Sequence, residues 1–141
     1  MNAQRRSRPP RRPQSPRAST WDEVIGPVYT AHGVARRLGI SRHAVAQRAR
    51  RKTLLSVVTS DNVVLYPAFQ FAGDQVDPAV TAVLLEFRAC PVDCWTVAAW
   101  FGVPEPALKG LTPRQWLADP HRDVTLVQRL AAEAAARWSA P

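Results

Sequence analysis

The chain has 141 residues, the size of one domain or two very small ones. Hydrophobic residues make up 46%, which excludes a wholly disordered chain. Charge is lopsided: 19 Lys+Arg against 11 Asp+Glu give +8, and Lys52 and Lys109 are the only lysines. Such a balance points to an anionic partner, nucleic acid before membrane. No apolar run approaches the roughly 18 residues that cross a bilayer, and no apolar stretch follows the N-terminal arginines, so no membrane partner is expected. Two cysteines, Cys90 and Cys94, make neither a disulfide framework nor a four-thiolate zinc site. The expected compartment is the reducing cytoplasm, at the nucleoid.

The charge is segregated along the chain. Residues 1–52 hold 13 basic residues and two acids, whereas residues 53–141 hold six basic residues and nine acids. Residues 1–20 read as a disordered basic arm, with Arg5, Arg6, Arg8, Arg11, Arg12 and Arg17 set among Pro9, Pro10, Pro13 and Pro16. An arm of that kind can follow a phosphate backbone or enter a minor groove.

Residues 29–52 carry the sharpest pattern. Thr30 is placed to cap a helix over Ala31–Leu38, and Gly39 to end it in the left-handed conformation. Ser41 is placed to cap a second helix from Arg42 to about Arg51. Helix, three-residue turn, helix is the helix-turn-helix pattern, with Val34, Leu38, Ile40 and Val45 spaced to lock the pair. At about 100° per residue, Val45 and Ala49 define the inward side of the second helix. His43, Gln47 and Arg50 then face outward, toward a groove. Gln pairs bidentately with adenine and Arg with guanine, so these three are the candidate base-reading residues. Arg36, Arg37, Arg42, Arg48, Arg51 and Lys52 are the candidate phosphate contacts. From Thr30 to Ser60 there is no acid to repel a duplex.

Leu54–Val58 and Val63–Tyr66 read as a hairpin behind this helix, a wing that packs on the helices and is mainly structural. Asp61 at its tip argues against a close phosphate contact there. Phe69 and Phe71 are expected to close the small core, and Gly73–Asp74 to mark a boundary. Residues 77–138 read as helical. Asp77 and Pro78 start a helix to about Arg88; Pro91 starts another that ends at Gly102. Thr112-Pro113-Arg114-Gln115 is a capping box opening a short helix, and a last helix runs from about Arg122 to Trp138. Its stripe of Val124, Val127, Ala131, Ala134 and Trp138 is core by default and also fits a dimer seam. Trp95, Trp100, Trp116 and Trp138 are dense enough to suit either a core or an interface.

The expected fold is mainly α with some β (α+β): a winged helix-turn-helix with a two-stranded hairpin over residues 21–74, then a small helical dimerisation or partner-binding domain over 75–141. Tyr29–Phe71, with its Ser41-Arg42-x-Ala44-Val45 start and Tyr66-Pro67-x-Phe69-Gln70-Phe71 end, resembles the helix-turn-helix of small actinobacterial DNA-binding proteins with a short β wing. Pro106-x-Leu108-x-Gly110-x-x-Pro113-x-x-x-Leu117 resembles the C-terminal domain of Xre/MbcA/ParS-type antitoxins. That second resemblance implies binding and blocking of a RES-domain toxin, a NAD-consuming enzyme. The candidate partner interface is then Trp100, Leu108, Trp116, Leu117 and Trp138.

Catalysis finds little support. The six glycines show no phosphate-loop or dinucleotide spacing, and His32, His43 and His121 are scattered. Cys90 and Cys94, at i and i+4 on one expected helix, lack further metal ligands at a recognisable spacing. No enzyme activity, cofactor or metal is expected. The leading expectation is a sequence-specific DNA-binding regulator, a homodimer on double-stranded DNA. The alternatives are an antitoxin-like partner of a toxin, and an architectural or phage-encoded DNA-binding protein.

Overall fold

A computed structural model describes residues 23–141; the expected arm over residues 1–20 lies outside the described residues. The fold is mixed α and β, with short helices around small antiparallel sheets. Strand β1 (Val28–Thr30) leads directly into helix α1 (Ala31–Leu38), and a short turn then leads to α2 (Arg42–Arg50). Both helix starts follow from their caps. The Thr30 hydroxyl accepts from the Gly33 N–H at 3.0 Å, and the Ser41 hydroxyl accepts from the Ala44 N–H at 3.0 Å. Gly39 ends α1 at φ 69, in the left-handed region that glycine enters without steric cost. The end of α2 is closed differently. Lys52 takes the left-handed position at φ 65, its N–H reaching the Ala49 carbonyl while the Thr53 N–H reaches that of Arg48.

Strands β2 (Val57–Val58) and β3 (Val64–Pro67) form the expected hairpin. The turn between them is held by Thr59, whose N–H donates to the Val63 carbonyl at 2.9 Å and whose hydroxyl lies against the Asp61 carboxylate. The hairpin is not two-stranded in its context. β1 pairs with the free side of β3, in register Val28–Pro67, Tyr29–Tyr66 and Thr30–Leu65, so the sheet order is β1-β3-β2. A second hairpin, β4 (Phe71–Ala72) with β5 (Gln75–Val76), turns at Gly73–Asp74, where the sequence suggested only a boundary.

The three-stranded sheet is the layer shared by two cores. Side chains alternate across a strand, so on β3 Leu65 packs against one core and Tyr66 is buried in the other. The smaller core holds Val34, Ala35, Val45, Leu54 and Tyr66 and locks α1 to α2. The larger core takes Ile25, Leu55 and Val57 from the N-terminal half together with the buried faces of the helices beyond residue 77. Burial in the smaller core pushes the Tyr66 phenol above its ordinary pKa. Neighbouring residues therefore serve different cores: Leu54 the smaller and Leu55 the larger. Phe69 and Phe71 divide in the same way, correcting the expectation that both close the small core. Phe69 meets Phe101 in a tilted pair with ring centroids 4.9 Å apart, while Phe71 meets Tyr29 at 5.6 Å.

Gln70 fixes the seam between the two cores. It is 0% exposed, and its amide bridges the backbone of Leu55 in both directions. Its Oε1 accepts from the Leu55 N–H at 2.8 Å, and its Nε2 donates to the carbonyls of Leu55 at 2.8 Å and Pro67 at 3.0 Å. One side chain thus does for Leu55 what a neighbouring strand would do.

The larger core is closed by α3 (Pro78–Leu84), α4 (Cys94–Trp100), α5 (Pro113–Leu117) and α6 (Val124–Ser139). Asp77 caps α3, which tightens into a 3₁₀ turn over Leu85–Phe87 rather than continuing as α-helix to Arg88. α4 begins at Cys94 because Asp93, not a residue near Pro91, accepts from the Thr96 N–H. Cys90 consequently lies in the loop before the helix, so the two cysteines do not share one helix. Thr112 and Gln115 form the expected capping box. α6 starts at Val124, capped by Asp123, two residues after the expected start. Val127, Ala131 and Ala134 on α6 are 0% exposed, which assigns the stripe to the core.

A clasp joins the first described residues to the second half. The Arg114 guanidinium donates to the Ile25 and Glu23 carbonyls and lies over the Phe69 ring. Burial pulls its pKa below that of an ordinary arginine. Gly102 lies against the Val24 carbonyl, with no room for a Cβ.

Candidate nucleic-acid interface

α2 shows one buried and one open side. Val45 is 0% exposed and Ala49 packs on the smaller core, while Arg42, His43, Arg48 and Arg50 are exposed and Gln47 is half-buried. The three candidate base-reading residues, His43, Gln47 and Arg50, are therefore brought onto one side of one helix. Arg51 and Lys52 continue the exposed cationic surface past the helix end. The second half meets α2 at that end, where Ala49 and Lys52 share a crevice of about 60 Å³ with Leu84, Phe87 and Arg88. Arg42, His43, Arg48 and Arg50 stay open to solvent, and Gln47 is partly covered.

Arg36 is exposed on α1, in line with its expected role. Arg37 has a further role. Its guanidinium donates to the Gly73 carbonyl and, at 3.1 Å, to the Tyr29 hydroxyl, and it lies 4.6 Å from the centre of the Tyr29 ring. Two of its N–H groups tie the β4–β5 turn and β1 to α1, so it shapes the surface as well as adding charge to it.

That tie creates a cleft of about 530 Å³ between α1, α2 and β4–β5, lined by Arg36, Arg37, Arg48, Asp74 and Gln75. Nothing in the charge pattern along the chain places Asp74 and Gln75 beside these arginines. The available signal was Gly73-Asp74 between Phe71-Ala72 and Gln75-Val76, a two-residue hairpin turn.

Three of the five candidate partner-interface residues are corrected. Leu108 is 0%, Leu117 6% and Trp100 7% exposed, all inside the larger core. Trp100 sits edge-on to both Phe87 and Phe101, and so cannot present its ring to another protein. Trp116 is half-buried, its indole N–H donating to the Asp123 carbonyl at 2.9 Å beneath the Arg122 guanidinium. Trp138 is half-buried and stacked on Phe87. Among the described residues, no group of three or more His, Cys, Asp or Glu is assembled to hold a metal ion. Among them, too, no helix is long and apolar enough to cross a membrane.

No family model matches the chain, and no curated protein matches it. Among solved structures, the same mixed α and β fold is found in the NMR structure of Rv2175c. The two superpose with a TM-score of 0.66 at 23% sequence identity, over 77% of this chain and 81% of that one. The likeness is one of fold.

Proposed function

We propose that this chain is a sequence-specific DNA-binding protein of the winged helix-turn-helix kind, acting as a transcriptional regulator. In this reading α2 enters the major groove, the β2–β3 hairpin is the wing, and α1 flanks the backbone. The observation that carries it is the open side of α2: His43, Gln47 and Arg50 together on an exposed surface flanked by Arg42, Arg48, Arg51 and Lys52, in a stretch without an acid from Thr30 to Ser60. Ordinary solvated helix faces mix the two signs of charge. Phosphate contacts from the flanks set position, and the central residues read bases.

Gel-shift titrations on genomic fragments at several salt concentrations test the proposal. Preferred fragments are expected, with log K falling linearly against log salt. Gln47→Ala is expected to relax the preference, at a cost of about 1–3 kcal/mol on the preferred site. Binding with no preference over random duplex would reduce the protein to an architectural one. The antitoxin-like reading is the weaker, because Trp100, Leu108 and Leu117, which would meet the toxin, are enclosed in the core.

A further inference from the structure

We infer that the cleft between α1, α2 and the β4–β5 hairpin is a phosphate-binding site, and that Asp74 on the hairpin limits its strength. The inference deepens the DNA-binding reading and rests on it for the source of the phosphate. It adds the second hairpin, β4–β5, to the anion-facing surface.

The cleft holds three guanidiniums, those of Arg36, Arg37 and Arg48, against one carboxylate, that of Asp74. Among the described residues, the ion pairs both centre on Asp119, at the other end of the chain. Arg36 and Arg48 thus keep their donors for a ligand, and Asp74 lies beside them without closing a salt bridge. Arg37 supplies charge, with two of its N–H groups engaged by Gly73 and Tyr29. The Gln75 side chain, exposed on β5, adds a neutral donor at the rim.

A second effect, besides Asp74, opposes anion binding. Leu38 and Gly39 line the cleft at the C-terminal end of α1, where the helix dipole places roughly half a negative charge. Part of that is already answered, because the Ala35 carbonyl accepts from both Gly39 and Ile40 N–H groups. Net positive charge remains after both the carboxylate and the dipole. At about 530 Å³ the cleft lies within the range of roughly 300–1,000 Å³ typical of small-ligand sites. Its chemistry suits a phosphate group, either a phosphodiester of a duplex running along α1 or a free phosphate compound.

The position of Arg37 explains why the hairpin belongs to the site. By holding the Gly73 carbonyl it fixes the turn, and Gly73 itself is left-handed at φ 63. Asp74, the next residue, is thereby held at the cleft wall, where its charge is felt by any phosphate that enters.

The test is Asp74→Asn on the full chain, with two probes. Affinity for a fluorescent duplex is measured by anisotropy, and inorganic pyrophosphate is titrated without DNA while Arg36, Arg48 and Gln75 side-chain NMR signals are followed. Asn suits the turn as well as Asp does, so folding is preserved. Removing one charge several ångströms away across solvent should tighten phosphate binding by about two- to fivefold. Glu133→Gln, the same charge change on α6, outside the cleft lining, should leave both affinities within about 1.5-fold, since solvent and salt screen exposed charges that do not face the ligand. Tighter duplex binding supports the site with DNA as its source. Tighter pyrophosphate binding in a protein that ignores duplex supports the site while defeating the DNA-binding reading. An unchanged affinity in both arms, or an equal gain from Glu133→Gln, overturns the inference and leaves DNA binding through α2 standing if the unaltered chain binds duplex.

Discussion

Replacing Gln70 by leucine removes a hydrogen-bonding side chain from a place where nothing else reaches its partners. The leucine keeps most of the volume, so the cost falls on the backbone groups left behind: the Leu55 N–H and C=O and the Pro67 C=O. A buried polar group without a partner costs about 1–3 kcal/mol, and carbonyls with a second lone pair lie at the lower end. Counting the two Leu55 groups in full and discounting that of Pro67 puts the loss at about 4 kcal/mol. That is a large part of the roughly 5–15 kcal/mol that holds a domain together. Urea denaturation of Gln70→Leu and of the unaltered chain measures it, with an unchanged slope as the sign that the same surface unfolds. Gln70→Glu adds a test of sign. An ionised carboxylate accepts from Leu55 but cannot donate to two carbonyls, and burial also disfavours its charge, so its folded pKa lies above its unfolded one. A group so raised stabilises below its unfolded pKa and loses that contribution as pH rises through the folded value. Gln70→Glu should therefore gain stability relative to the unaltered chain on acidification from pH 7 to pH 5 (roughly one pH unit above the unfolded pKa). A cost below about 1 kcal/mol for Gln70→Leu would refute the assignment of Gln70 as a substitute strand.

Gly39→Ala meets no atom within 4 Å of the new Cβ, so its cost is that of the left-handed backbone alone, about 1–2 kcal/mol in chemical denaturation. Gly102→Ala behaves differently: its Cβ would overlap the Val24 carbonyl, and hydrogen exchange over residues 23–27 should accelerate as the clasp opens, with Arg114→Met giving the same pattern. Asp123→Asn keeps the cap of α6 but removes its titration. Hydrogen bonds from Thr125 hold the Asp123 carboxyl below the ordinary aspartate range, so it stabilises above the unfolded pKa and loses that as pH falls through the lower folded value. Acid unfolding below the ordinary aspartate range should accordingly be shallower in Asp123→Asn.

Helix starts were legible because the forces that set them act over three residues. Thr30, Ser41, Asp77 and Thr112 each reach a backbone N–H within their own first turn, so the residue type and its place suffice. Where the start is read from a proline alone, position misleads: Asp93, not Pro91, sets the start of α4 and leaves Cys90 in a loop. The exposed side of α2 was legible for the same local reason, since periodicity with Val45 as the inward residue fixes which side chains face out.

What the linear chain determines here is the segregation of charge, the caps and the outward side of α2, all set by neighbours within a turn or two. Tertiary structure decided the rest. β1 is only three residues long, and its partner β3 lies more than thirty residues further along the chain. Apolar periodicity marks a face to be covered but not what covers it, so Trp100, Leu108 and Leu117 suited a partner protein until the larger core claimed them. Arg37 reads only as one more phosphate ligand, whereas the folded chain also ties it to the carbonyl of Gly73, distant in sequence. Pairings of that kind depend on where the backbone brings remote segments together, and composition and periodicity carry no record of that meeting.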